Sequence, residues 1–271
     1  MPPRPFAIHV PDDVLSDLRD RLERTRWPEQ FADAGWDYGA NFDYVRELCD
    51  YWRTGYDWRV HEERLNRHPG FFCEVDGVDI HFWHVRGKGP SPFPLMLIHG
   101  WPGSIVEFDG LIERLTDPAA YGGRAEDAFD LVIPSLPGFG FGGKPRERGW
   151  GISRIGAAFN TLMTRELGYS RYGVQGGDWG GIISAKMASA HADAIAGAHL
   201  NFLMAPPPLQ PSEADRAAIV ARDAFQAAET GYSNVQSTKP DSLTLAQTDS
   251  PGVGRLDPGE VPCVERSRWR G

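Results

Sequence analysis

Apolar residues recur along this chain with two different periods, and the change from one to the other falls near residue 70. Before it the spacing is helical. Residues 12–26 put Val14, Leu15, Leu18 and Leu22 toward one side of a helix that opens on Asp12 and Asp13 and stops at Trp27-Pro28. A second period-3.6 run over residues 42–52 brings Val45, Leu48 and Trp52 to a common side, and a shorter helix is expected over 58–66. This region also holds Trp36, Tyr38, Tyr51, Tyr56 and Trp58. Rings at that density serve either to glue a helical arm onto a larger domain, the stronger reading, or to cage a ligand. His61-Glu62 carries no zinc-protease pattern, because the position four after His61 is Leu65.

Beyond residue 70 the pattern becomes that of strands alternating with helices. Residues 72–74 and 78–85 flank Asp76-Gly77, a strong hairpin signal. Leu95-Met96-Leu97-Ile98 and Leu131-Val132-Ile133 are continuous apolar runs, as buried parallel strands require. Ser104 with Glu107 reads as a capping box opening a helix that turns Phe108, Leu111, Ile112 and Leu115 inward. Ile155, Phe159, Leu162 and Met163 mark another helix, ended by Gly168; strands over 172–175 and 195–200 follow, and residues 213–230 read as the first helix of an inserted lid. The order implies an α/β fold with a doubly wound, mostly parallel sheet.

Between the strand at 172–175 and a small-residue helix over 181–190 stands Gly176-Gly177-Asp178-Trp179-Gly180. Glycines two before and two after a central residue permit the sharp strand-to-helix turn of a nucleophile elbow. The central residue is Asp178, so the nucleophile is a carboxylate, which attacks carbon to give an ester. The plainer alternative is an Asp capping a helix in a glycine-rich loop. Two other loops are candidate parts of a site: His99-Gly100-Trp101-Pro102-Gly103, which with the helix after it can present backbone N–H groups to an anion, and the glycine-rich stretch over 134–143, with Phe139, which reads as a wall of an active site.

Charge and composition remove several function classes. Lys and Arg number 28 against 37 Asp and Glu, a net charge of −9, which offers no footprint for nucleic acid or anionic lipid. No apolar window is long enough to span a bilayer, and the first residues lack a signal-peptide pattern, so a cytoplasmic protein is expected. Cys49, Cys73 and Cys263 are odd in number and follow no metal spacing; neither a disulfide framework nor a metal site is expected.

Three motifs in this order, His99-Gly100-Trp101-Pro102-Gly103-Ser104, Gly177-Asp178-Trp179-Gly180 and Gly231-Tyr232-Ser233-Asn234 running on to Lys239-Pro240, follow an aromatic helical arm. The combination resembles the microsomal-type epoxide hydrolases over nearly all of residues 1–251. The resemblance implies an α/β-hydrolase fold with an N-terminal arm over 1–70, a core over 71–201 and a lid over 202–250. It implies a detoxifying hydrolase that needs no cofactor and takes small apolar epoxides and water to diols. Asp178 would be the nucleophile, the N–H groups of Trp101 and Trp179 the oxyanion hole, and Tyr232 one of two lid tyrosines that protonate the epoxide oxygen. His99, Pro102 and Phe139 would line the pocket, His99 as a brace for its loop rather than a proton carrier.

The acid and histidine that follow the nucleophile in this family match nothing here. After Asp178 come only His191, at the end of the elbow helix, and His199, inside a strand. Residues 251–271 hold 4 Gly, 3 Pro and 4 Arg and no apolar period, which reads as a disordered tail produced by a frameshift or early stop, with the last strands of the sheet missing. Two alternatives stand beside an epoxide hydrolase of reduced turnover: a haloalkane dehalogenase-like enzyme, which also uses an elbow Asp, and a non-catalytic remnant.

Overall fold

The computed structural model describes residues 2–203 and 207–251, except the side chains of Tyr232 and Leu245. The described residues divide into two compact units, one built from residues 2–9 and 59–203, the other from 10–58 and 207–251.

The first unit is organised by a seven-stranded sheet. Its strands are β1 (Arg4–Phe6), β2 (Gly70–Val75), β3 (Val78–Val85), β4 (Phe93–Ile98), β5 (Phe129–Pro134), β6 (Tyr172–Gly176) and β7 (Ile195–Leu200), in spatial order β1-β2-β3-β5-β4-β6-β7. The sheet is mixed: β1, β2 and β3 join antiparallel to one another and to β5, while β5, β4, β6 and β7 run parallel. Asp76 and Gly77 both take positive φ, +53° and +75°, as the two central residues of a type I′ hairpin turn must, and so pin the β2–β3 register. β1 was not legible in the sequence. It is short and contains Pro5, which suits an edge, where one face of the ladder needs no N–H.

β4 and β5, in the middle of the sheet, are covered on both faces, which is why they are apolar without alternation, whereas β7 at the edge is buried only at Ile195. The main core joins Phe82, Met96, Ile98, Val132 and Val174 of the sheet to Phe159, Leu162, Ile183 and Met187 of the helices α5 (Ile152–Thr161) and α6 (Asp178–Ala190) and the π-helical turn that prolongs α5. Gly168 ends that turn with φ +76°. α3 (Trp58–Leu65) precedes β2, and α4 (Asp109–Thr116) packs on β5.

Two expectations are corrected here. Ser104 does not form a capping box; its Oγ accepts from Val106 N at 3.3 Å and caps a 3-10 turn over Ile105–Phe108. That turn changes the helical phase, so Phe108 and Ile112 are buried while Leu111 is 47% exposed. The elbow helix starts at Asp178, not at 181.

In the second unit α1 (Asp12–Glu23) packs on α2 (Phe42–Thr54) through Leu22, Val45 and Cys49, flanked by Leu18, Trp27 and Trp52. α1 closes at Glu23, before Trp27-Pro28. Val14 lies about 100° around the helix from Leu15 and is half exposed, off the stripe it was expected to share. Asn41 caps α2 by accepting from Tyr44 N at 3.1 Å. The same unit holds α7 (Glu213–Glu229), α8 (Gly231–Thr238) and α9 (Asp241–Asp249), and Arg21 donates to the carbonyls of Thr248 and Asp249 at the α9 C-terminus, where a cation suits the helix dipole. Among the described residues no helix is long and apolar enough to cross a membrane. Residues 252–271, including Cys263 and most of the expected tail, lie outside the described set; Cys49 and Cys73 are buried and form no disulfide among the described residues.

Candidate active site

Ile98 pairs with Gly176, so the chain leaves β4 and β6 side by side and at the same level. The strand order also reverses at β4, which has β5 on one flank and β6 on the other. A reversal of that kind leaves a crevice beyond the C-terminal strand ends. The loop after β4 supplies His99 to Ser104 to this crevice, and the turn after β6 supplies Asp178.

Asp178 sits at φ +49°. Side chains enter this left-handed region at a cost of about 1 kcal/mol or more, least for Asp, Asn and Gly, so the surrounding packing must hold it there. Glycines do so by letting backbones touch: a Cβ on Gly176 would stand 2.2 Å from the Gly180 backbone, and one on Gly180 would stand 1.9 Å from Ile98 O. The result is an exposed carboxylate at the first turn of α6.

The facing loop approaches this carboxylate through its backbone. A Cβ on Gly100 would meet Asp178 Oδ1 at 2.3 Å, and Trp101 N–H donates to the same oxygen at 2.8 Å. His99 lies behind that peptide, 1% exposed. Leu136 N–H donates to its Nε2 at 3.0 Å, which assigns the ring proton to Nδ1, and Nδ1–H donates to Gly100 O at 2.9 Å. Gly100 C=O and Trp101 N–H share one peptide plane, so the ring grips the plane at the end opposite Asp178. Burial holds His99 below the ordinary imidazole pKa, outweighing the Gly100 carbonyl and the Asp178 charge, and keeps it neutral. The Phe139 ring packs at 5.7 Å from His99. Pro102 follows Trp101 through a cis peptide and is exposed, and Trp179 is 45% exposed.

The crevice therefore brings together Asp178, Trp101, His99 and Phe139. Tyr232 belongs to α8 in the other unit, and its side chain lies outside the described residues. His191 caps the far end of α6, about 20 Å along the helix from Asp178, and His199 is on β7 opposite Gln175; neither hydrogen-bonds Asp178.

Three further contributors were not expected at the site: Asn201 and His81 reach it only through space, and Glu107 was expected only as a helix cap. Asn201, just past β7, donates its N–H to Gly176 O at 3.3 Å, and its Oδ1 lies 2.4 Å from where a Gly177 Cβ would be. The Glu107 carboxyl lies beneath the loop, with Oε1 2.8 Å from a would-be Gly103 Cβ. Desolvation raises its pKa, the Gly100 and Ser104 backbone draws it back, and the Asp178 charge raises it further. His81, fully buried on β3, bonds Ser135 Oγ at 2.9 Å and so anchors the 134–143 loop whose Leu136 N–H holds His99.

The N-terminal part of the chain, residues 3–108, matches the family described as epoxide hydrolase N terminus, and residues 94–259 match the family described as alpha/beta hydrolase fold. The chain is 45% identical over 251 residues to a candidate epoxide hydrolase of Stigmatella aurantiaca, covering 91% of this chain and 57% of that protein. It is 34% identical over 270 residues to epoxide hydrolase 1 of Sus scrofa, covering 92% and 59% respectively. The solved structure of juvenile hormone epoxide hydrolase from the silkworm Bombyx mori superposes with a TM-score of 0.80 at 31% identity, covering 94% of this chain and 62% of that one. The chain thus spans about three fifths of the length of these relatives.

Proposed function

This chain belongs to the α/β-hydrolase fold family and, through its N-terminal region, to the epoxide hydrolases, and we propose that its site opens apolar epoxides through an ester on Asp178. The observation that carries the reading is the pose of the Asp178 carboxylate. Oδ1 accepts Trp101 N–H at 2.8 Å, which leaves Oδ2 to attack. A bond forms between Oδ2 and an epoxide carbon as that carbon's bond to the ring oxygen breaks, and the oxygen takes a phenolic proton, the part we assign to Tyr232. Water then adds to the ester carbonyl and gives up a proton to solvent, from which the phenolate regains its own, and the departing alkoxide takes a proton as the Asp178 carboxylate is restored. The negative charge that develops on Oδ1 falls where Trp101 N–H already points, with Trp179 N–H as its second donor, and collapse of the intermediate releases the diol. We assign Trp101, Trp179 and Phe139 to the aromatic wall that apolar substrates would need.

The second step calls for a base, and the described residues place no histidine or second carboxylate in hydrogen-bonding contact with Asp178. We therefore propose that the 271-residue polypeptide forms the ester faster than it clears it. General-base catalysis is commonly worth on the order of 10² to 10⁴ in rate.

Incubation with styrene oxide followed by peptide mass spectrometry tests both statements. The expected result is a single adduct on Asp178, absent from Asp178→Asn, which tolerates the same left-handed backbone. An adduct pattern unchanged by that substitution overturns the assignment of the nucleophile. Chloride release from a chloroalkane without reaction on the epoxide assigns the site to dehalogenation instead.

A further inference from the structure

A second cleft, of about 720 Å³, runs along the flank of α4 between the segment after α3 and the end of β3. None of its lining residues belongs to the 99–104 loop or to the elbow. Its charge runs against that of the molecule: five Lys or Arg side chains line it against three carboxylates, whereas the whole chain has 28 against 37.

The three carboxylates are already engaged. Asp109 takes His68 at 2.7 Å and Arg64 at 3.3 Å, Asp117 takes Lys88 at 2.9 Å, and Glu113 accepts from Tyr121 OH at 2.6 Å. Arg86 turns to Asp130 at 2.9 Å. Two guanidinium groups remain. Arg67 has no ion pair among the described residues, and Arg114 stacks on the Tyr121 ring at 4.8 Å without a carboxylate. Stacking leaves the edge donors of Arg114 free, and a planar guanidinium presents paired donors to tetrahedral oxyanions. Val85, Ile112 and Tyr121 add apolar surface to the same cleft.

We propose that this cleft binds a phosphoryl dianion carried on an organic group, with Arg67 and Arg114 as its charge partners. Two guanidinium groups match the two charges of a phosphomonoester, and the apolar lining receives the organic part. The phosphoryl group can be carried by a soluble ester or by the headgroup of an anionic lipid.

Calorimetry on the full chain at constant ionic strength separates the sources, with phenyl phosphate in one arm and phosphatidylcholine vesicles with and without phosphatidic acid in the other. Saturable binding of phenyl phosphate is expected, weakened about tenfold or more in Arg67→Gln/Arg114→Gln and unchanged in Arg171→Gln, an exposed arginine elsewhere on the first unit. Binding confined to phosphatidic acid vesicles, with the same dependence on the two arginines, assigns the phosphoryl group to lipid. No saturable binding in either arm, or binding unaffected by the double substitution, overturns the proposal. Circular dichroism confirms that the double variant retains its fold.

Discussion

Acidification should loosen the sheet through His81. The ring is fully buried among Phe6, Phe72 and Phe141, with one hydrogen bond, to Ser135 Oγ, and no partner for Nε2. Burial lowers its pKa from 6.5 to about 4. The native state therefore favours the neutral ring, and the unfolded chain takes up the proton first. Stability from this group is complete above the unfolded pKa and falls as pH drops toward the folded one. The loss is about 2 kcal/mol near pH 5 and about 3 kcal/mol near pH 4. His81→Asn keeps a polar atom near Nδ1 to meet Ser135 but cannot titrate, and it costs about 1–2 kcal/mol in lost packing at neutral pH. Amide hydrogen exchange in peptides from β2 and β3, followed by mass spectrometry, reads the local stability of wild type and variant at each pH. The wild type should be the better protected at pH 7.5, and the two should converge or cross near pH 5. His84 and His99, also lowered by burial, act equally in both proteins and cancel. A constant offset across the range would refute the reasoning.

Further outcomes follow from the elbow and its loop. Gly100→Ala sets a Cβ 2.3 Å from Asp178 Oδ1, so styrene oxide labelling should slow by about 10²-fold or more while the thermal transition moves little. Asp178→Gly removes the side chain from a positive φ and should stabilise the chain by about 1 kcal/mol while abolishing the adduct, as a thermal melt and mass spectrometry would show. Gly180→Ala brings a Cβ 1.9 Å from Ile98 O, with no flexible neighbour to yield, and should cost several kcal/mol, read as loss of soluble protein or a large drop in Tm. His99→Phe frees the Gly100 peptide plane and should slow labelling by about 10-fold, with His99→Gln recovering part of the rate.

The elements that could be read in the sequence are those whose signal is local. Leu95 to Ile98 and Leu131 to Ile133 announce buried strands, Asp76-Gly77 announces a turn, and the spacing of Gly176, Gly177 and Gly180 around Asp178 announces a tight corner. β1 escapes because three residues containing a proline show no alternation, and its pairing with Phe71 and Phe72 is visible only in space. α8 escapes for another reason: five of its eight residues are Gly, Ser, Asn or Thr, whose intrinsic preference is not helical. At the site the motif residues were legible and their supports were not. His99 was visible, but the Leu136 N–H that settles its tautomer belongs to a loop 37 residues away, and Asn201 meets Gly177 only because β7 pairs with β6.

The position of β1 bears on how the chain is made. Arg4 to Phe6 leave the ribosome ahead of their ladder partners Gly70 to Phe72, which emerge only after the whole α1–α2 excursion has been synthesised. At about 5–20 residues per second that interval is several seconds, far longer than a hairpin needs to close. Until then Phe6 has neither Phe72 nor His81 to pack against. The β2–β3 hairpin can form without β1, so docking of the first strand becomes a late event that seals the aromatic pocket around His81. A bulky insertion immediately before Arg4 would act on that sealing step.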